Sequence, residues 1–192
     1  DRLEAVEISE VDEKMNPIKG TERIVKCDSL ILSVGLIPEN ELAKSLGVAL
    51  DQVTKGPVVD QNFQTSLPGV YSCGNAMHVN DLADYVSESG EVAGKAAALT
   101  APSIGQKEPV LHSKEIGYVV PEGIDFQKPL ENLIFYFRVR DVYKNKILKV
   151  YLDDEMVFKK VYLTLRPPEM ERLTLTLPHK GKINFVLEDM AK

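Results

Sequence analysis

"TSLPGVYSCGN", residues 65–75, decides how the first half of this 192-residue chain is read. A turn at Leu67-Pro68-Gly69 feeds a four-residue run, Val70 to Cys73, which halts at Gly74 and Asn75. Glycine at the end of a strand lets another group come close to the backbone. A helix start offers unpaired N–H groups and a partial positive charge. Together, at the carboxyl end of a strand where open α/β sheets hold ligands, they suit an electron-rich ligand whose hydroxyls Asn75 would bond. The competing reading is a plain strand–turn–helix connection, since glycine turns after strands are common.

The helix in question spans roughly 81–99. Asp81 is the expected cap and Asp84 lies in the first turn. Leu82, Val86, Val92 and Leu99 stand among small residues, Ser87, Ser89, Gly90, Ala93, Gly94, Ala96, Ala97 and Ala98. Such a helix can approach a sheet, another helix or a ligand closely. Upstream, "RLEAVEIS" and "TERIVKC" (21–27) read as a hairpin around a polar loop with Asn16-Pro17 and Gly20. "SLILSVG" (29–35) is nearly continuous apolar sequence, the pattern of a strand buried on both faces. "ENELAKSLG" (39–47) is a short helix stopped by Gly47, and "GPVVD" (56–60) a short strand.

Composition changes near residue 104. Residues 1–104 hold 8 Lys/Arg against 16 Asp/Glu and 3 of the 13 Phe/Tyr, whereas 105–192 hold 15 against 13 and the other 10. "TAPSIGQKEP" (100–109) between them reads as a linker. The second half alternates in the β manner at 132–142, 146–154, 155–165, 171–178 and 182–189, with a tight hairpin at Asp153-Asp154. That pattern predicts a small β-sandwich. Arg138 and Arg140, alternating with Phe137 and Val139, suggest one wet face.

The totals exclude some functions. A net charge of −6 gives no polyanion-binding surface, so no nucleic acid is expected. No apolar run reaches the ~18 residues of a membrane span. Cys27 and Cys73 form no CxxC pair, and two reduced, buried thiols in a cytoplasmic protein are expected. His78, His112 and His179 lack metal-ligand spacing, so no metal site is expected. Tyr85 either stacks near a ligand or packs. Asp1 already lies in a strand-like pattern, which suggests a fragment with a segment upstream.

"TSLPGVYSCGN" resembles the second flavin-binding motif of the FAD-dependent pyridine-nucleotide oxidoreductases, T-x-x-P-G-(apolar/aromatic)3–4-x-G-D. "CDSLILSVGLIPEN" (27–40) resembles the strand that precedes it in that family. "GNAMHVNDLADYVSESGEVAGKAAAL" (74–99) is most similar to flavoprotein subunits related to anaerobic glycerol-3-phosphate dehydrogenase and sarcosine oxidase. The resemblance covers about 1–100 and does not extend to 105–192.

It implies an α/β fragment, residues 1–104, of a flavoprotein with two dinucleotide-binding domains, followed by the β-sandwich at 105–192. It further implies FAD as cofactor and NAD(P)H as co-substrate, with hydride passing between nicotinamide and flavin. Gly74 would lie near the FAD diphosphate and ribityl chain, and Asn75 would bond a ribityl hydroxyl. Asp84, Tyr85 and Val86, opening the helix, would face the flavin pyrimidine, where positive dipole favours the reduced form. No catalytic residue is assigned. The motif's aspartate is Asn75 here, an amide that keeps an acceptor and adds two donors. No G-x-G-x-x-G occurs, so this chain alone is expected to be inactive. A partner flavoprotein or electron-transfer subunit and a homo-oligomer are compatible with it. The alternative is a non-enzymatic subunit-docking module built on the β domain.

Overall fold

The computed structural model describes residues 2–33, 35–99, 101–102 and 105–190. The chain divides into two compact units, Asp1–Leu36 and Ile37–Lys192. The first contains the expected hairpin: β1 (Ala5–Ile8) pairs antiparallel with β2 (Arg23–Lys26). Residues 29–33, expected as a central buried strand, form none, and Leu30, Ile31 and Leu32 are 54, 92 and 71% exposed. A strand buried on both faces needs neighbouring strands and covering layers, and the described residues of this unit supply only one solvated hairpin. Val34 lies outside the described residues.

In the second unit α1 (Glu41–Ser45) is the short helix expected before Gly47, whose φ of +82° suits a glycine stop. Asn40 does not cap it; its amide instead donates to Lys55 O and Ala76 O, at 3.1 and 2.8 Å. The expected strands 56–60 and 69–74 shrink to single bridges, Leu50 with Pro57 and Gln64 with Tyr71. The long helix is α2 (Ala83–Leu99), two residues shorter at its start than expected.

Eight strands follow: β3 (Glu108–His112), β4 (Ile116–Val120), β5 (Gly123–Ile124), β6 (Leu133–Val139), β7 (Tyr143–Leu152), β8 (Glu155–Leu165), β9 (Glu171–Leu175) and β10 (Ile183–Asp189). They form a five-stranded sheet, β5-β3-β10-β7-β8, and a three-stranded sheet, β4-β6-β9. The β7–β8 hairpin turns at Asp153, φ +52°, as the Asp-Asp pair suggested. Of the region read as a linker, Thr100, Ser103 and Ile104 lie outside the described residues, and Lys107 ends it by donating to Gln64 O and Thr65 O, both at 2.7 Å.

Two cores lie on the two faces of the three-stranded sheet. On one face Phe135 and Phe137 pack with Leu148, Val150, Leu152, Ile183 and Phe185 of the larger sheet. On the other, Tyr136 joins Val59, Phe63, Met77, Ala93 and Met170. The face expected to be wet is covered along β6, where Tyr136 is fully buried and Arg138 lies half-buried against the loop before α2, while Arg140, just past the strand, is exposed as expected. The two-residue period of "LIFYFRV" sends alternate side chains into different cores.

Gly56 shows how closely these layers meet. A Cβ there would fall on the Met77 carbonyl oxygen, a backbone atom that cannot swing away. Gly56→Ala is expected to cost at least about 3 kcal/mol, the upper range of overpacking, as read by urea denaturation. A loss under about 1 kcal/mol would contradict this packing.

Candidate functional site

The motif at 65–75 folds on local hydrogen bonds. The Thr65 hydroxyl accepts the Leu67 amide at 3.2 Å, Thr65 N donates to Val70 O at 2.8 Å, and Gly69 takes the turn's left-handed position at φ +77°. Ser72 N donates to Phe63 O at 2.9 Å. Gly74 also has positive φ, +60°, and opens a single 3-10 turn, Gly74–Ala76. A Cβ on Gly74 would stand 3.1 Å from Val86 Cγ1. Bulk there thus meets this chain's own helix, a second reason for glycine beside any ligand.

Ser89 fastens the end of the motif to α2. Fully buried, its hydroxyl accepts Gly74 N–H and donates to Val86 O, both at 2.7 Å. The small-residue helix buries Ser89, Ala93 and Ala96, while Cβ positions on Gly90 and Gly94 would find open space. Part of the small-residue pattern therefore serves close approach within the chain.

The structure brings the five sequence-selected residues to one neighbourhood in unequal roles. Gly74 is buried, Asn75 and Asp84 are exposed, and Tyr85 and Val86 are half-buried. Tyr85 packs on Tyr136, with ring centroids 5.9 Å apart. Asn75 Oδ1 accepts Asn80 N at 3.1 Å, leaving the amide NH2 without a partner among the described residues. At the start of α2 the first backbone acceptor in use is Leu82 O, taken by Tyr85 N and Val86 N, and the N–H groups of the exposed Ala83 and Asp84 have no partner among the described residues. Unpaired donors of this kind suit a ligand rich in carbonyl, hydroxyl or phosphate oxygen.

Asp81 does not cap α2. It stands two residues before the helix, and its carboxylate is drawn to the β region: Oδ1 pairs with Arg138 and Oδ2 accepts Met170 N at 2.6 Å. Cys73, expected buried, is exposed, and Cys27 is half-buried; both are free. No group of three or more potential metal ligands occurs among the described residues.

Sequence reading missed the charges that support this loop. Glu88 accepts Arg172 Nη2 at 2.6 Å, Arg172 Nε at 2.8 Å and Tyr136 Oη at 2.8 Å, and the Arg172 bonds hold its carboxyl below the usual range. Buried Asp60 accepts Lys128 Nζ at 2.7 Å. Nothing local in the sequence marks these pairs, whose partners lie 68 and 84 positions apart.

Two buried groups titrate abnormally. Glu122 accepts Val59 N at 3.0 Å, and burial pushes its carboxyl up to about 8. His78 is 1% exposed, has no hydrogen-bond partner on either ring nitrogen among the described residues, and lies 5.0 Å from the Tyr136 ring. Burial pushes it down to about 4. The raised acid contributes stability that is complete below 4.5 and lost as pH rises through about 8. The depressed histidine contributes stability that is complete above 6.5 and lost as pH falls through about 4. Between 4.5 and 6.5 the two slopes, each about 1.4 kcal/mol per pH unit, oppose one another.

The arrangement now has relatives to set beside it. A family profile described as pyridine nucleotide-disulphide oxidoreductase matches residues 3–98, half of the chain, and the chain belongs to that family. Among curated proteins, a Nitric oxide reductase FlRd-NAD(+) reductase of Salmonella agona (strain SL483) is 38% identical over 60 residues, 31% of this chain and 15% of that protein. Its namesake in Klebsiella pneumoniae (strain 342) is 34% identical over 59 residues, again 31% and 15%. The chain thus matches a small part of the length of these relatives. No solved structure matches, and no helix among the described residues is long and apolar enough to cross a membrane.

The opposed titrations give a testable profile. In Glu122→Gln the urea midpoint is expected to rise from pH 4.5 to 6.5 and then stay level to pH 8, because His78 titrates unopposed, while the parent declines from 6.5 to 8. Parallel curves for the two proteins between pH 6.5 and 8 would refute the Glu122 assignment.

Proposed function

We propose that residues 1–104 are the flavin-facing C-terminal part of an FAD-dependent, NAD(P)H-linked oxidoreductase, and that 105–192 are an appended β-sandwich. The observation that carries this reading is the set of unpartnered donors on exposed residues, Asn75 NH2, Ala83 N–H and Asp84 N–H, within the stretch that matches the family profile. When bound, FAD supplies the hydride-accepting centre that exchanges with a nicotinamide. Asn75 donates to a ribityl hydroxyl. Gly74 keeps the backbone low where the diphosphate and ribityl chain pass, and Ser89 fixes that backbone through Gly74 N–H. The opening amides of α2, at Ala83 and Asp84, would direct positive dipole at the pyrimidine edge and favour electron uptake there, with Asp84, Tyr85 and Val86 as the residues that face it.

The end of the family match at residue 98 supports a boundary near 104. Two sheets around a shared core support the sandwich. The relatives' printed name supports NAD(H) as the nicotinamide. The resemblance of 74–99 to the flavoprotein subunits related to anaerobic glycerol-3-phosphate dehydrogenase and sarcosine oxidase supports a reading in which electrons pass onward to a substrate or a partner subunit. The chain alone does not turn over in this reading, because it carries no glycine-rich dinucleotide loop. A second reading makes the β region a docking module. Val161 and Leu163, two apart on strand β8 at the sheet's edge, share one face at 48 and 74% exposure.

The complete gene product is expected to be yellow, with flavin absorbance bleached by NADH or NADPH. Asn75→Asp is expected to retain the flavin, since a carboxylate also serves hydroxyl groups. A colourless complete protein would overturn the flavin reading. Loss of flavin in Asn75→Asp alone would overturn the hydroxyl role of Asn75.

A further inference from the structure

We infer that the β region acts as a brace that sets both the position and the charge of the start of α2, through Arg138 on Asp81 and Arg172 on Glu88. The charge half of this inference rests on the flavin reading above; the mechanical half does not.

The geometry is specific. The Arg138 guanidinium donates to Tyr118 Oη at 2.8 Å and to Val79 O at 3.1 Å, and also bonds Asp81 Oδ1 and Pro168 O. One side chain from the middle of the three-stranded sheet thus spans β4, the turn before β9 and the loop that enters α2. Asp81 answers through its second oxygen, which accepts Met170 N. Two turns along the helix, Arg172 from β9 forks onto both oxygens of Glu88, with Tyr136 of β6 on one of them. The side chains of both pairs are 15 to 31% exposed, where charge-assisted bonds outweigh open surface pairs. The helix start is therefore held at two points by one sheet.

Asp81 gives the brace its electrical consequence. A carboxylate at a helix start suits the helix dipole, yet the same charge opposes a ligand that becomes more negative on reduction. Arg138 pairs with Asp81, so that carboxylate subtracts less from the positive field of the open amides at Ala83 and Asp84. Arg138, Asp81, Arg172 and Glu88 are positioning residues. Each acts through α2 and touches no reacting atom.

The test uses the complete gene product. Amide exchange at residues 85–88 is expected to speed up at least about tenfold in Arg138→Gln and Arg172→Gln, with strands β7 and β10 unchanged. Arg172→Lys is expected to recover only part of the protection, because a lysine lacks the fork. In redox titrations at the parent's midpoint, the reduced-to-oxidised flavin ratio is expected to fall at least about threefold in Arg138→Gln and to rise by a similar factor in Asp81→Asn. A purely structural role would move both variants the same way. Unchanged exchange at 85–88 in both arginine variants would overturn the brace. Shifts of the same sign, or none, in Arg138→Gln and Asp81→Asn would overturn its charge half while the flavin reading stands. A colourless parent would overturn the flavin reading and the charge half together, and exchange would still decide the brace.

Discussion

Everything in the larger unit depends on a three-stranded sheet that is buried on both faces. Antiparallel sheets commonly leave one face to water, and β6 does not. Phe135 and Phe137 enter one core while Tyr136 between them enters the other. A strand in that position holds two layers together with one backbone. It places the Tyr136 hydroxyl within reach of Glu88, so the apolar layer and the charged clamp on α2 share a residue. The five-stranded sheet needs this strand for its core, and the helix needs it for its footing.

The motif at 65–75 is built for rigidity before it is built for binding. Thr65, Gly69, Ser72 and Gly74 each hold a backbone position by a hydrogen bond or a left-handed φ. Ser89 then ties the end of the motif to the helix that follows it. Asn75 and the first amides of α2, on exposed residues beside this frame in sequence, keep donors without a partner among the described residues. A preorganised donor row loses little in reorganisation when an oxygen-rich ligand arrives.

Local chemistry made much of this legible in the sequence. The β7–β8 hairpin followed from alternation and the Asp153 turn, and α2 from its small-residue pattern. Gly74 and Asn75 stood out because a glycine and a lone polar residue end an apolar run. What was not legible depends on partners far along the chain. "SLILSVG" has the composition of a central strand but finds no neighbouring strands among the described residues, and Leu30, Ile31 and Leu32 remain exposed. Arg138 looked like a solvent-facing residue because its acceptors at 79, 81 and 168 are non-local. β3, β4 and β5 escaped notice because prolines, glycines and short length mask their period. Asp81 had the right type and position for a cap, and a stronger cation drew it elsewhere.

The buried pair of Asp60 with Lys128 bears on how such a chain can be inherited. Its two halves stand on either side of residue 104, as do those of Arg138–Asp81 and Arg172–Glu88. Separating them would strand a buried carboxylate, a loss of about 3–5 kcal/mol for a pair of this kind. A recombination event that swapped the β region for another of the same shape would have to bring all three cations to the same places. Lineages carrying this chain should therefore transmit the two segments as one unit, with changes at 60, 81 and 88 tracked by changes at 128, 138 and 172.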